Sequence, residues 1–188
     1  MKQKLLLLPT LAAFLMLMAA GSTLASSSSA PRRHVTAKAA APKPARKATP
    51  KVDAALVRRL RRTVWHWQAV MGKRRTTVKL SLRSVPALRY WRRQARLVAR
   101  VASHPPHKTG WLCIHRYEGR WSDSSDPYWG GLQMDRGFMS AYAPSELLRR
   151  GWADRWTALE QMWVAERAHR SGRGYWPWPS TARFCGLI

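Results

Sequence analysis

Glu118 is the residue of this chain best suited to acid–base chemistry. It ends a short apolar helical pattern, and the aromatic residues Tyr117 and Trp121 flank it. Partial burial beside aromatic rings would raise the pKa of this carboxylic acid and keep it protonated near neutral pH. Such an acid can donate a proton to a leaving oxygen, which cleavage of a glycosidic bond requires. A glutamate at a helix end is more often a surface residue. The hypothesis that Glu118 is a catalytic acid therefore depends on the residues around it.

The residues that follow Glu118 suit the binding of a sugar chain. Aromatic faces stack on sugar rings, and an amide side chain can bond an N-acetyl group. A glycine pair lets backbone approach a substrate closely. The predicted binding residues are therefore Trp121, Tyr128, Trp129, Gly131 (with Gly130), Gln133 and Asp135.

A second carboxylate and a metal site are both weakly supported. Asp135 and Asp126 are the nearest acids that could assist Glu118, although a turn or capping role fits each of them better. The histidines do not group with cysteines or acids at ligand spacing, so we expect no metal and no cofactor.

Cys113 and Cys185 are the two cysteines of the chain, and they bracket the region around Glu118. In an exported protein such a pair favours a disulfide, because a metal site needs further ligands nearby. By the loop-entropy model a bridge over this loop contributes about 4 kcal/mol. Two buried free thiols remain the alternative.

Helical patterns must position these residues. Thr109 is predicted to cap a helix whose apolar side uses Leu112, Ile114 and Tyr117, and Gly119 to end it. Residues 132–142 and 146–151 read as short helices, and 156–171 as the clearest helix of the region. No strong strand signal is present.

Two basic helices are predicted upstream of this region. Asp53 can cap the first, which Gly72 ends, and the second covers 87–103 between proline residues. They could form a hairpin or lie on the following domain. Their outer faces carry eight arginines: Arg58, Arg59, Arg61, Arg62, Arg92, Arg93, Arg96 and Arg100.

The N-terminal part predicts export. Residues 1–25 combine a charged start, an apolar run and small residues at a cleavage site, which is typical of a signal peptide. An uncleaved membrane anchor is the rival interpretation, but the apolar run is shorter than a bilayer span requires. Residues 26–52 are rich in Ser, Ala, Pro and Lys, which predicts a disordered basic linker.

The charge is concentrated upstream. The formal net charge is +25. Between Ser26 and His107 the sequence contains 21 Lys or Arg residues and one acidic residue. From Lys108 onward there are 11 Lys or Arg residues and eight Asp or Glu residues, which is an ordinary balance of charge. A basic arm of this kind indicates a polyanionic surface, such as an anionic wall polymer or a membrane. No nucleic-acid motif accompanies it, so we expect no nucleic-acid partner.

One stretch carries a family resemblance. Glu118-Gly119, Trp121 and then 128–135, YWGGLQMD, resemble the catalytic stretch of resuscitation-promoting factors and related transglycosylase-like domains of actinobacteria. The blocks 159–167 and 174–177 are similar to the closing helix and tail of that family. The resemblance covers about 111–185 and not the basic arm. It departs at Tyr117, where the family usually has cysteine, and at Phe138, where a small hydroxyl residue is common.

The resemblance implies a small lysozyme-like fold that cleaves the MurNAc–GlcNAc bond of peptidoglycan, with Glu118 as the single catalytic acid. The expected fold class is mainly α (α+β lysozyme-like), and the expected domains are 1–25 signal peptide, 26–52 linker, 53–107 basic helical region and 108–188 catalytic domain. We expect a secreted, wall-associated monomer. Whether it is a muramidase or a lytic transglycosylase stays open. The alternatives are a non-catalytic peptidoglycan-binding module and, at greater distance, a polyanion-binding protein.

Overall fold

The structure, a computed structural model, describes residues 51–188. The predicted signal peptide and nearly all of the predicted linker lie outside the described residues. The described part is mainly helical, which confirms the coarse fold class, and its helices are α1 Ala54–Val70, α2 Val85–Ala102, α3 Lys108–Glu118, α4 Arg136–Tyr142, α5 Ser145–Leu148, α6 Ala158–Ala168 and α7 Pro179–Phe184.

Extended structure between residues 51 and 188 is limited to one antiparallel bridge, which joins Trp129 to Met134. No strand forms in this part of the chain, so the strand component of the predicted α+β class is absent from it. Within the same residues, no helix is both long and apolar enough to cross a bilayer.

The helices α1 and α2 pack against each other as predicted for a hairpin. Asp53 caps α1 by accepting a hydrogen bond from the Ala55 amide at 2.7 Å, and Gly72 follows with a positive φ of 68°. The second helix begins at Val85, two residues before its predicted start, because Ser84 caps it and Pro86 fits its first turn. Trp65 of α1 meets the buried Trp91 of α2 edge to face at 6.3 Å.

The buried face of α3 differs from the predicted one. Its first turn has no side-chain cap, so the prediction for Thr109 was wrong. Leu112 and Tyr117 are 42% and 55% exposed, whereas Trp111 and Ile114 are fully buried. Steps of three and four residues then place Glu118 on the buried face, on the same side as Trp111 and Ile114.

The helices α4, α5 and α6 are shorter than their predicted counterparts. Asp135 caps α4 by accepting from the Phe138 amide at 2.7 Å, so this helix starts four residues later than predicted. Thr157 and Glu160 form a reciprocal capping box at the start of α6. A π-helical turn, His169–Arg173, follows α6, and Gly172 has a positive φ of 96° within it.

A disulfide joins α3 to the C-terminal helix. Cys113 and Cys185 are bonded, with their Cα atoms 6.0 Å apart, which confirms the predicted bridge. The bridge brings α7 alongside α3 over a sequence separation of 72 residues.

The basic helices share one hydrophobic core with the region that follows them. Buried residues from Val57 to Ala182 form a continuous cluster. The Trp163 indole N–H donates to the Ala102 carbonyl at 2.8 Å, and Arg167 and Arg170 donate to the Ala69 and Met71 carbonyls at the end of α1. The boundary predicted between residues 107 and 108 therefore crosses a packed interior.

Candidate active site

Glu118 lies at the C-terminal end of α3, where the helix gives way to Gly119. Its side chain is half-buried. Two turns earlier in the same helix, Trp111 fixes the position of α3, because its indole N–H donates to the buried carboxylate of Glu166 at 2.8 Å. The acid is thus held on a rigid element at the edge of the core, as a catalytic carboxyl group must be.

The hydroxyl of Thr181 orients the Glu118 carboxyl group. It donates to Oε1 of Glu118 at 2.7 Å. Thr181 lies in α7, which the disulfide fastens to α3. Within residues 51–188, Oε2 has no hydrogen-bond partner, so it is the oxygen able to exchange a proton with a ligand.

A cleft of about 300 Å³ opens beside Glu118. One side is formed by Tyr128, which is 48% exposed, and by Gln133. The other side is formed by the C-terminal tail, Pro177, Trp178, Pro179 and Ser180. The Trp178 indole N–H donates to the Leu132 carbonyl at 2.5 Å, which ties the two sides together.

Gln133 has a constrained position in this cleft. Its φ is +46°, an uncommon value for a residue other than glycine. Its amide nitrogen donates to Oδ2 of Asp123 at 2.9 Å and to the Gly130 carbonyl at 3.0 Å. Both amide hydrogens are therefore used within the protein, and the amide oxygen is left to accept a hydrogen bond from a ligand.

Asp123 lies next to Gly119, the residue that follows Glu118. A Cβ atom added to Gly119 would lie 3.2 Å from Oδ2 of Asp123 and 3.2 Å from the Gln133 amide nitrogen. Hydrogen bonds from Ser125, and then from Gln133, lower the pKa of Asp123. The group is therefore ionised near neutral pH and holds Gln133 in place.

The predicted glycine pair serves the packing of the protein itself. A Cβ atom on Gly131 would lie 2.5 Å from Nδ1 of His115, and one on Gly130 would overlap the side chain of Gln161. The Gly131 amide donates to the Gln161 side-chain oxygen at 2.9 Å. The glycine pair does allow a close approach to the backbone. The side chains that approach it are His115 of α3 and Gln161 of α6, however, and not a substrate.

Gln161 is the buried link between α6 and the loop that carries the site. Besides accepting from Gly131, its amide nitrogen donates to the Trp121 carbonyl and the Ala153 carbonyl, each at 2.8 Å. A fully buried amide with these partners fixes the course of residues 121–131.

A second groove, of about 590 Å³, lies beside Gly119, the residue after Glu118. Trp121 lines it and stacks on His115 with the ring centroids 3.9 Å apart. Arg116 and Arg120 also line it, and both are exposed. The groove therefore offers an aromatic edge beside two positive charges.

Four of the residues singled out from the sequence lie away from the cleft lining. Trp129 is 5% exposed and packs against Trp152. Asp135 caps α4, and Asp126 is exposed and 3.4 Å from Arg136. Phe138 is buried against Trp178. The structure brings Glu118, Tyr128 and Gln133 together, with Trp121 in the adjacent groove.

Three residues of the site were not found from the sequence: Thr181, Asp123 and Gln161. Thr181 follows the block 174–177, and no motif in the sequence marks it as a site residue. Asp123 lies in a turn-rich stretch where an acid has many ordinary roles. Their functions depend on contacts between segments distant in sequence.

No group of three or more His, Cys, Asp and Glu side chains within residues 51–188 has the arrangement of a metal site. A search for relatives returned nothing: no family model, no curated protein and no solved structure matches this chain.

Proposed function

We propose that this chain is a secreted glycosidase of peptidoglycan that cleaves the MurNAc-β-1,4-GlcNAc bond, with Glu118 as its single catalytic acid and base. The observation that carries the proposal is the half-buried Glu118, held by Thr181 at the edge of a cleft that Tyr128 and Gln133 also line. The resemblance of 111–185 to resuscitation-promoting factors and related domains supplies the substrate class.

The contacts of the cleft suit a sugar that carries an N-acetyl group. The exposed ring of Tyr128 offers a face for stacking, and the Gln133 amide oxygen is available to accept from an acetamido N–H. The second groove begins at Gly119, the residue after Glu118, and in this proposal it contacts a further part of the glycan strand.

In the proposed mechanism, Glu118 protonates the glycosidic oxygen through Oε2 while an oxocarbenium-like state develops on the sugar. The substrate's own acetamido group stabilises that cation, since no second acid lines the cleft. Glu118 then acts as a base. It activates either water, as a muramidase does, or the sugar 6-hydroxyl, as a lytic transglycosylase does.

Digestion of purified peptidoglycan tests this proposal. The chain from Ser26 onward, the form that the predicted export leaves, is compared with Glu118→Gln, which keeps the shape of the side chain but cannot exchange the proton. Asp126→Asn is the matched control, because Asp126 is an exposed acid outside the cleft. Products are identified by mass spectrometry.

Cleavage by the wild type and by Asp126→Asn, but not by Glu118→Gln, is the expected result. Anhydro-muropeptides would identify a lytic transglycosylase, and reducing ends a muramidase. If the wild type sediments with the wall without cutting it, the enzyme hypothesis fails and a peptidoglycan-binding module replaces it.

A further inference from the structure

The outer surface of α2 carries an arginine stripe, which is Arg89, Arg93, Arg96 and Arg100. Steps of four, three and four residues place these side chains on one face of the helix, and all four are exposed. Ala87, Trp91, Val98 and Ala102 are buried on the opposite face. The stripe extends over about 16 Å at the rise of an α-helix.

The positive charge of this stripe is not neutralised by neighbouring acids. The sequence from Ala54 to Tyr117 contains no Asp or Glu. Among residues 51–188, every arginine that pairs with a carboxylate lies after α3: Arg136, Arg150 and Arg155. An uncompensated row of guanidinium groups attracts phosphate, which they bind in a bidentate manner.

The stripe belongs to the folded part of the chain. Trp91 anchors the inner face of α2 against Trp65, and the Ala102 carbonyl at its C-terminal end accepts from the Trp163 indole. The arginines are therefore presented by a fixed helix and not by a loose tail. Their spacing is part of the fold.

Two apolar side chains flank the stripe. Leu97 and Val101 lie one turn apart on α2 beside the arginines, and each is 42% exposed. A dissolved phosphate polymer would gain little from these side chains. A lipid surface would bury them between its headgroups while the arginines bind lipid phosphates.

We propose that α2 docks on an anionic lipid surface, with the arginine stripe on the headgroups and with Leu97 and Val101 inserted at the interface. The charge of the basic region is compatible with either an anionic wall polymer or a membrane as its partner. The exposed apolar side chains of Leu97 and Val101 favour the membrane. Such docking would hold the enclosed core of residues 51–188 next to the bilayer. It does not depend on the activity proposed for Glu118.

Vesicle cosedimentation tests the docking. The chain from Ser26 is mixed with vesicles of phosphatidylcholine alone or with added phosphatidylglycerol. The variant Arg93→Gln/Arg96→Gln/Arg100→Gln is compared with Arg149→Gln/Arg173→Gln/Arg183→Gln, which removes three exposed arginines elsewhere that also pair with no carboxylate within residues 51–188. At about fivefold per arginine, the stripe variant should bind anionic vesicles on the order of a hundredfold more weakly, and the control should bind nearly as the wild type does. Equal losses in the two variants, or equal binding to neutral vesicles, would overturn the proposal.

A second variant distinguishes a membrane from a dissolved polyanion. Leu97→Ser/Val101→Ser changes exposed positions and leaves every charge in place. It should lose the part of vesicle binding that persists in 0.5 M salt, because screening weakens charge attraction but not apolar insertion (the Debye length is ~10 Å at 0.1 M and shorter at higher salt). If this variant matches the wild type at all salt concentrations, or if the wild type prefers a double-stranded oligonucleotide to anionic vesicles, the lipid assignment is wrong.

Discussion

The carboxyl group of Glu118 is oriented by a hydroxyl group that lies 63 residues away in the sequence. Thr181 contributes a single hydrogen bond, but that bond decides which carboxyl oxygen faces a ligand. A typical hydrogen bond contributes about 0.5–1.5 kcal/mol. The precision of the proposed site therefore rests on one side chain of α7.

Replacement of Thr181 by valine is predicted to slow peptidoglycan cleavage by up to about tenfold, since a bond of this strength is lost and the carboxyl group is free to rotate. Thr181→Ser keeps the hydroxyl group and should retain most of the activity. The rate of muropeptide release measures both variants. Equal rates for the valine and serine variants would show that the hydroxyl group has no positioning role.

Glu160 is a buried carboxylate that stabilises the contact between α1 and α6. His66 of α1 lies 2.8 Å from it, and Arg150 binds both of its oxygens. Burial acts to raise the pKa of Glu160, but hydrogen bonds from His66, Arg150 and the Thr157 backbone outweigh burial and hold this pKa well below its ordinary value of 4.5.

Glu160→Gln is predicted to lower the free energy of unfolding by about 3 kcal/mol, because Arg150 would lose its charge partner. The depressed pKa means that Glu160 stabilises the fold above pH 4.5 and that this stabilisation is lost as the pH falls below that value. Urea unfolding between pH 3 and pH 7 measures it. The wild type should lose stability below pH 4.5 more steeply than the variant, and parallel curves would contradict the prediction.

At the scale of elements, the disulfide determines how α7 meets α3. These two helices are short, and α7 contains only six residues. A helix of that length is not stable alone. Its position beside Glu118 therefore depends on the covalent link and on Trp178, which bonds to the loop after Gly131.

Removal of the bridge by Cys113→Ala/Cys185→Ala is predicted to cost about 4 kcal/mol of unfolding free energy, since it restores the entropy of a long unfolded loop. Urea denaturation with and without a reductant checks the value. Reductant should destabilise the wild type and leave the double variant unchanged. If the double variant is as stable as the wild type, the bridge contributes little to the fold.

At the scale of the whole molecule, the basic helices complete the core around α6. Seven consecutive residues of α6, from Glu160 to Glu166, are buried. A helix that is buried on all sides needs packing partners on all sides. The helices α1 and α2 cover one side of α6, where Trp163 donates to the Ala102 carbonyl of α2 and Arg167 donates to the Ala69 carbonyl of α1.

A chain that starts at Lys108 is therefore predicted not to fold cooperatively, whereas a chain that starts at Lys51 should unfold in one transition. The shorter chain exposes Trp163 and leaves the packing face of α6 without cover. Circular dichroism during thermal unfolding compares the two. A sharp transition of the shorter chain near that of the longer one would support the domain boundary predicted from the sequence.

Local signals in the sequence determined most of the helices and the disulfide. The apolar spacing of α1 and α2, the cap at Asp53 and the glycine after α3 act over a few residues, so they can be read without the fold. The pairing of Cys113 with Cys185 followed because the chain has no other cysteine.

The tertiary structure decided which faces and which distant residues meet. Trp111, and not Leu112, is buried in the interior, because Glu166 accepts a hydrogen bond from the Trp111 indole N–H. This orientation of α3 turns Glu118 inward. The glycine pair packs against α3 and α6, and Thr181 and Asp123 reach the site only when separate segments come together. Such contacts depend on the packing of the whole core, which no local pattern encodes.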